Sequence, residues 1–156
     1  MPLISAGLLL FRRSPSLEVL IVHPGGPFWA HKDLGAWSLP KGQVSAGEEL
    51  LATARREFTE ELGFPPPDSE PISLGSVKLK SGKTVHGWAV EGDCDPATCQ
   101  SNTMRMEHPP RSGKWITIPE VDRAEFFSPQ TAKEKLNPAQ AVFVERLIDA
   151  LKERGL

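Results

Sequence analysis

No tyrosine occurs among the 156 residues, only two cysteines do, and no apolar run approaches the length of a membrane span. Cys94 and Cys99 are separated by four residues in the acidic segment EGDCDPATCQ. A structural zinc would need two further Cys or His ligands, and His23, His31, His86 and His108 show no paired spacing. The two cysteines therefore read as free thiols in a loop, with a disulfide as the alternative that a cytosolic location disfavours. The apolar stretch nearest the start, Ile4 to Phe11, has no basic segment before it and no small-residue cleavage site after it. A cytoplasmic protein without a membrane partner is expected. An excess of positive charge is missing as well: 18 Lys and Arg face 20 Asp and Glu, for a net charge of −2. Scattered bases exclude the long basic footprint that grips duplex nucleic acid, and leave a small phosphorylated molecule as the expected partner. The length suits one domain over residues 1–156, with one core.

What is present is patterned. Ile4 to Phe11 and Leu17 to His23 read as two strands joined by a turn. The loop HPGGPFWAHKDLGAW carries Phe28, Trp29 and Trp37, which either fold back over the core edge or offer a platform to a base. Ser45 and Glu48 form a capping-box signature, and Gly63 is a suitable stop, so a helix is expected from about Ala46 to Leu62. Leu51, Ala54, Phe58 and Leu62 recur at helical spacing as its core face. Strands are expected at Ile72 to Lys80 and Lys83 to Glu91 with Ser81-Gly82 as a two-residue turn, and more weakly around Met104 and over Trp115 to Ile118. Asn137, Pro138 and Gln140 open a terminal helix whose buried stripe is Val144, Leu147, Ile148 and Leu151.

The densest pattern is GQVSAGEELLATARREFTEELGF, residues 42–64. Gly42, Glu48, Arg56, Glu57, Phe58, Glu60, Glu61, Gly63 and Phe64 stand at fixed intervals whose chance coincidence is on the order of 10⁻¹⁰ per starting point. On a helix, Glu57, Glu60 and Glu61 project from one flank beside Phe58. Carboxylates gathered so closely repel one another, which raises at least one pKa unless a cation is bound. Carboxylate-only ligation suits a hard ion, Mg²⁺ or Mn²⁺, which commonly bridges to phosphates. At Gly42 the missing side chain would let a backbone carbonyl approach the metal, or would simply make a tight turn. Glu48 and Arg56 are eight residues apart, too far to pair along a helix without a bend in the chain before it.

This segment resembles the Nudix box, complete at every fixed position. The resemblance implies a three-layer α/β/α sandwich with a mixed central sheet. It also implies hydrolysis of a phosphoanhydride in a nucleoside diphosphate derivative. Carried onto these positions, it makes Glu57, Glu60 and Glu61 the metal ligands, with Gly42 beside them. Glu57 becomes a possible base, Arg56 orients the carboxylates, and Glu48 and Gly63 support the arrangement. In this family the base often lies outside the box, and Glu120 in PEVDRAEFF is the leading position here, with Glu107 in reserve. SAGLLLFRR, WSLPKG and KTVHGWAV loosely resemble the diadenosine tetraphosphate hydrolase branch. Lys41, Lys83, His86 and Trp29 are the corresponding candidates for substrate contact, while Trp88 is assigned to the core. Two departures stand out. The tyrosine that such hydrolases use for stacking is absent, and the proline that ADP-ribose pyrophosphatases carry about fifteen residues past the box is replaced by Leu79. Nucleotide sugars, nucleoside triphosphates and capped RNA are the alternative substrates, and a non-catalytic nucleotide sensor is the alternative of another class.

Overall fold

The computed structural model describes residues 3–13 and 15–155. Its main sheet runs in the order β4 (Ile72–Lys78), β5 (Thr84–Glu91), β1 (Ile4–Arg12), β2 (Glu18–Pro24) and β8 (Val121–Phe127), with β3 (Lys41–Gln43) also paired to β1. A separate hairpin joins β6 (Thr103–Glu107) to β7 (Trp115–Pro119). The sheet is mixed, because β1 and β5 run parallel while the other pairings are antiparallel. Helix α1 (Leu50–Leu62) covers one face, and α2 (Pro129–Lys135) with α3 (Pro138–Glu153) covers the other. This is the expected three-layer sandwich. Among the described residues no helix is long and apolar enough to cross a membrane.

Covered on both faces, β1 reads as a continuous apolar run. Ala6, Leu8 and Leu10 face α1 with Phe58 and Leu62, whereas Leu9 and Phe11 face α3 with Phe143 and Leu147. One edge of β1 is shared: residues 10–12 pair with β2, and residues 5–7 pair with β3. The chain from Ser38 to Gln43 fills the gap between them, since Ser38 bridges Val22 and the Leu8 N–H donates to the Pro40 carbonyl. That insertion brings Lys41 and Gly42 beneath α1.

Several local expectations are corrected. Helix α1 begins at Leu50 rather than Ala46, because Gly47 takes a left-handed conformation (φ 78°) that no helix continues through. Only half of the expected capping box forms: the Ser45 N–H donates to the Glu48 carboxylate, but the Glu48 N–H donates to the Ser45 backbone carbonyl rather than to its hydroxyl, and the two bonds close a turn ahead of the helix. Leu51 is only half-buried, and Leu50 instead packs on the cluster of Ala54, Phe58 and Leu62. The β4–β5 connection is a three-residue loop, since the Leu79 N–H donates to the Lys83 carbonyl at 2.7 Å. Asn137 caps α3 as expected, accepting from the Ala139 N–H. Gln140, however, turns inward and accepts from the Leu39 N–H at 2.9 Å, tying α3 to the inserted strand segment. Phe143 belongs to the buried stripe of α3, where Ile148 is only half-buried. Strands β3 and β8 and helix α2 went unanticipated. Cys94 and Cys99 are free, half-buried thiols, and burial raises both of their pKa values, that of Cys94 to about 11.

Candidate active site

Residues Ala54, Phe58 and Leu62 hold α1 on the sheet, and Glu57 and Glu61 lie on the same buried flank, only 8% and 6% exposed. Glu120, in the link between β7 and β8, completes the group. One carboxylate oxygen from each of Glu57, Glu61 and Glu120 lies within 4.8 Å of the other two. Glu60 is half-buried and points elsewhere, accepting from Arg56 Nη1 at 3.1 Å.

Arg56 ties the box together. Its Nε and Nη2 donate to the two carboxylate oxygens of Glu48 at 2.9 and 3.0 Å, a bidentate pairing made possible because Glu48 sits in the turn before α1 and folds back over the helix. Its Nη1 reaches Glu57 at 2.9 Å as well as Glu60. The bonds from Arg56 and from the Thr53 hydroxyl hold the Glu48 carboxyl down to about 2, and the Arg56 pKa is raised in turn, chiefly by Glu48. Gly42 lies against Glu57, where a Cβ would fall 2.0 Å from the carboxyl carbon. Gly63 ends α1 in the left-handed conformation.

The electrostatics are those of a site short of positive charge. Burial, followed by the charges of Glu57 and Glu120, pushes the Glu61 carboxyl up to about 9. Burial and the charge of Glu60 raise Glu57, against the pull of Arg56. Burial lowers the Lys41 ammonium, while Glu61 opposes that shift and Lys83 adds to it. Protonation and one partly desolvated lysine are how the protein alone tolerates these carboxylates. An all-oxygen donor set of this charge fits a hard divalent cation.

Three cavities meet at Pro24. One of about 240 Å³ is lined by Lys41, Glu61, Glu120, Leu39 and Met104. A second of about 200 Å³ shares Glu120 and Met104 with it and is walled by Phe28, Trp29, Met106 and Ile118. A third of about 210 Å³ lies between Trp29, Trp37, Lys41, Leu79 and Gln140. The loop bearing Phe28 and Trp29 is pressed onto the β6–β7 hairpin. The Gly25 N–H donates to the Glu120 carbonyl at 3.0 Å, and a Cβ on Gly25 or Gly26 would strike the Pro119 carbonyl or Ile118. His23 anchors the far end of that loop, with Nδ1 2.7 Å from Asp122 and Nε2 2.6 Å from the Lys32 carbonyl oxygen.

The remaining predicted residues scatter. His86 stands opposite Ala6 in β1, one strand beyond Gly42. Trp88 packs half-buried against the α1-side core. Glu107 accepts the Arg111 and Gly113 N–H groups at the far end of the hairpin. Phe28 and Trp29, singled out in the sequence as a core cover or a base platform, line a cavity, whereas Met104, Met106 and Ile118 carry no readable signal as its walls.

A mixed sheet clasped between helices, with three carboxylates gathered near the segment inserted along the edge of β1, is the arrangement of a Nudix-type fold. The NUDIX domain model matches residues 1–147, and the chain belongs to that family. The fold is shared with a Caenorhabditis elegans Ap4A hydrolase (TM-score 0.65, 18% identity, covering 96% of this chain and 98% of that one). It is shared also with the NUDIX domain of Shewanella oneidensis NrtR bound to ADP ribose (TM-score 0.68, 19% identity, covering 97% and 89%). An RNA pyrophosphohydrolase of Caulobacter vibrioides is 39% identical over 54 residues, a match that spans 31% of each chain.

Proposed function

We propose that this chain is a divalent-metal-dependent pyrophosphohydrolase that cleaves a phosphoanhydride bond of a nucleoside diphosphate derivative, with a dinucleoside polyphosphate as substrate. The observation that carries the reading is the cluster of Glu57, Glu61 and Glu120, of which Glu61 and Glu120 line a cavity that shares Pro24 with two neighbouring cavities of about 200 and 210 Å³. Glu57 and Glu61 hold Mg²⁺ or Mn²⁺, with Glu60 at the solvent edge and Gly42 leaving room beside Glu57. The bound ion supplies charge neutralisation at the phosphate oxygens and a water of lowered pKa. Arg56 fixes the carboxyl orientation of Glu57, and Glu48 fixes Arg56. Glu120, facing both the carboxylates and the aromatic cavity, accepts the proton of the attacking water. Lys41 and Lys83 draw the phosphate chain, and the Phe28–Trp29 pair, with ring centroids 4.9 Å apart, offers a base an aromatic wall where tyrosine is absent.

A triphosphorylated or capped RNA end is the second reading, favoured by the 39% identical stretch shared with the Caulobacter RNA pyrophosphohydrolase. Chromatographic identification of products from diadenosine tetraphosphate, ADP ribose, nucleoside triphosphates and 5′-triphosphorylated RNA, with and without Mg²⁺, separates them. Metal-dependent ATP plus AMP is expected from the first. Turnover of the RNA alone would transfer the assignment to the second, and no turnover of any substrate would leave a nucleotide sensor.

A further inference from the structure

We propose that Ser101 is a positioning residue for the carboxylate site, acting through Glu120; the inference rests on the reading of Glu120 as the site's third carboxylate. Glu57 and Glu61 share one helix, which sets their spacing, whereas Glu120 arrives from the link between β7 and β8. The segment Cys99–Asn102 joins the two. On one side it binds the end of α1: the Asn102 N–H donates to the Glu60 carbonyl at 2.9 Å, the Gln100 N–H to the Leu62 carbonyl at 3.0 Å, and Cys99 Sγ to the Glu61 carbonyl at 3.5 Å. These are last-turn carbonyls, which have no partner within the helix. On the other side the segment holds the residue that must meet the helix: the Glu120 N–H donates to the Asn102 carbonyl at 3.0 Å.

Ser101 closes this junction. Its hydroxyl accepts from the Val121 N–H at 3.0 Å and donates at 2.8 Å to the Asn102 carbonyl, the same oxygen that receives the Glu120 N–H. The bonds to α1 are made by Asn102, Gln100 and Cys99, so removing the serine hydroxyl leaves the helix end capped and loosens only the Glu120 side. Val121 is buried, and its N–H would lose its partner. The consequence is a Glu120 carboxylate free to drift from Glu57 and Glu61, and misplacement by about 1 Å in such a site costs up to about 100-fold in rate.

The test compares Ser101→Ala, Ser101→Thr, Glu120→Gln and the Ser101→Ala/Glu120→Gln double variant, reading Mn²⁺ affinity by electron paramagnetic resonance and turnover of diadenosine tetraphosphate. Ser101→Ala is expected to lower kcat about 10- to 100-fold with KM and Mn²⁺ affinity nearly constant, as misalignment of a base predicts, and Ser101→Thr to restore kcat. In the Glu120→Gln background the serine change should add nothing. The same loss in that background, or wild-type kcat in Ser101→Ala, overturns the proposal. If Glu120→Gln itself binds Mn²⁺ and turns over normally, the reading of Glu120 fails and the role of Ser101 falls with it. An impaired Glu120→Gln beside a normal Ser101→Ala sinks the serine alone. Should Ser101→Ala not fold, amide exchange of the wild type decides: the Glu120, Val121 and Asn102 amides are expected to open together and to slow with Mg²⁺, and independent exchange of Val121 refutes the coupling.

Discussion

On the α3 side of the sheet, Trp37, Phe143, Leu147 and Leu9 fill the space between strand and helix, and Gly87 lets Phe143 lie directly on β5. On the α1 side, Ala54, Phe58 and Leu62 make the same kind of contact, yet Glu57 and Glu61 are buried beside them. One face is built for cohesion. The other accepts desolvated carboxylates, whose raised pKa values record the free energy lost by placing them there. The contrast teaches that the desolvated carboxylates of the site gather on the α1 side of the sheet, while the opposite side is filled chiefly by apolar side chains.

The largest break in this comparison comes from Glu57→Gln, which should lower kcat by about 10²- to 10³-fold while thermal stability holds or rises, measured by steady-state kinetics and calorimetry. Its mirror image is Phe143→Ala on the opposite face, expected to cost about 3–5 kcal/mol in denaturant unfolding while the fraction still folded keeps its turnover. Trp29→Ala should raise KM for a dinucleoside polyphosphate about tenfold with kcat little changed, the loss of one stacking contact.

The smallest effect concerns pH. In EDTA the Glu61 carboxyl titrates near 9 in the folded chain, against an ordinary carboxyl in the unfolded one, so the folded state binds the extra proton. The stability this provides is complete below the unfolded pKa and is lost as pH rises through about 9. The melting temperature of the metal-free protein should therefore fall across that window, Mg²⁺ should restore it, and Glu61→Gln should flatten it by about 5 °C at its alkaline end. A metal-free melting curve indifferent to pH would remove the distinction between the faces.

The α1 face was the more legible of the two regions because its signal is local. Fixed charges at helical spacing announce Glu57 and Glu61 together, and the cap at Asn137 and the stripe through Val144, Leu147 and Leu151 announce α3. What stayed hidden depends on contacts distant in sequence. Glu48 meets Arg56 only because Gly47 turns the chain before the helix, and Gln140 leaves its expected cap for a partner 101 residues away. Strand β8 was not recognised because only Val121 and Ala124 of its seven residues are buried, which breaks the alternation that marks a strand. The hairpin's Met104, Met106 and Ile118 gain meaning only from the loop pressed against them, and that pressing cannot be read along the chain.

Gly25 and Gly26 carry one more consequence. With no room for a side chain between the aromatic loop and the hairpin, Gly25 lies against the Pro119 backbone and Gly26 against the Ile118 side chain, and the Gly25 N–H joins the two walls through the Glu120 carbonyl. A side chain at either glycine would prise the walls apart, so the width of the slot beside Glu120 is set by two missing methyl groups.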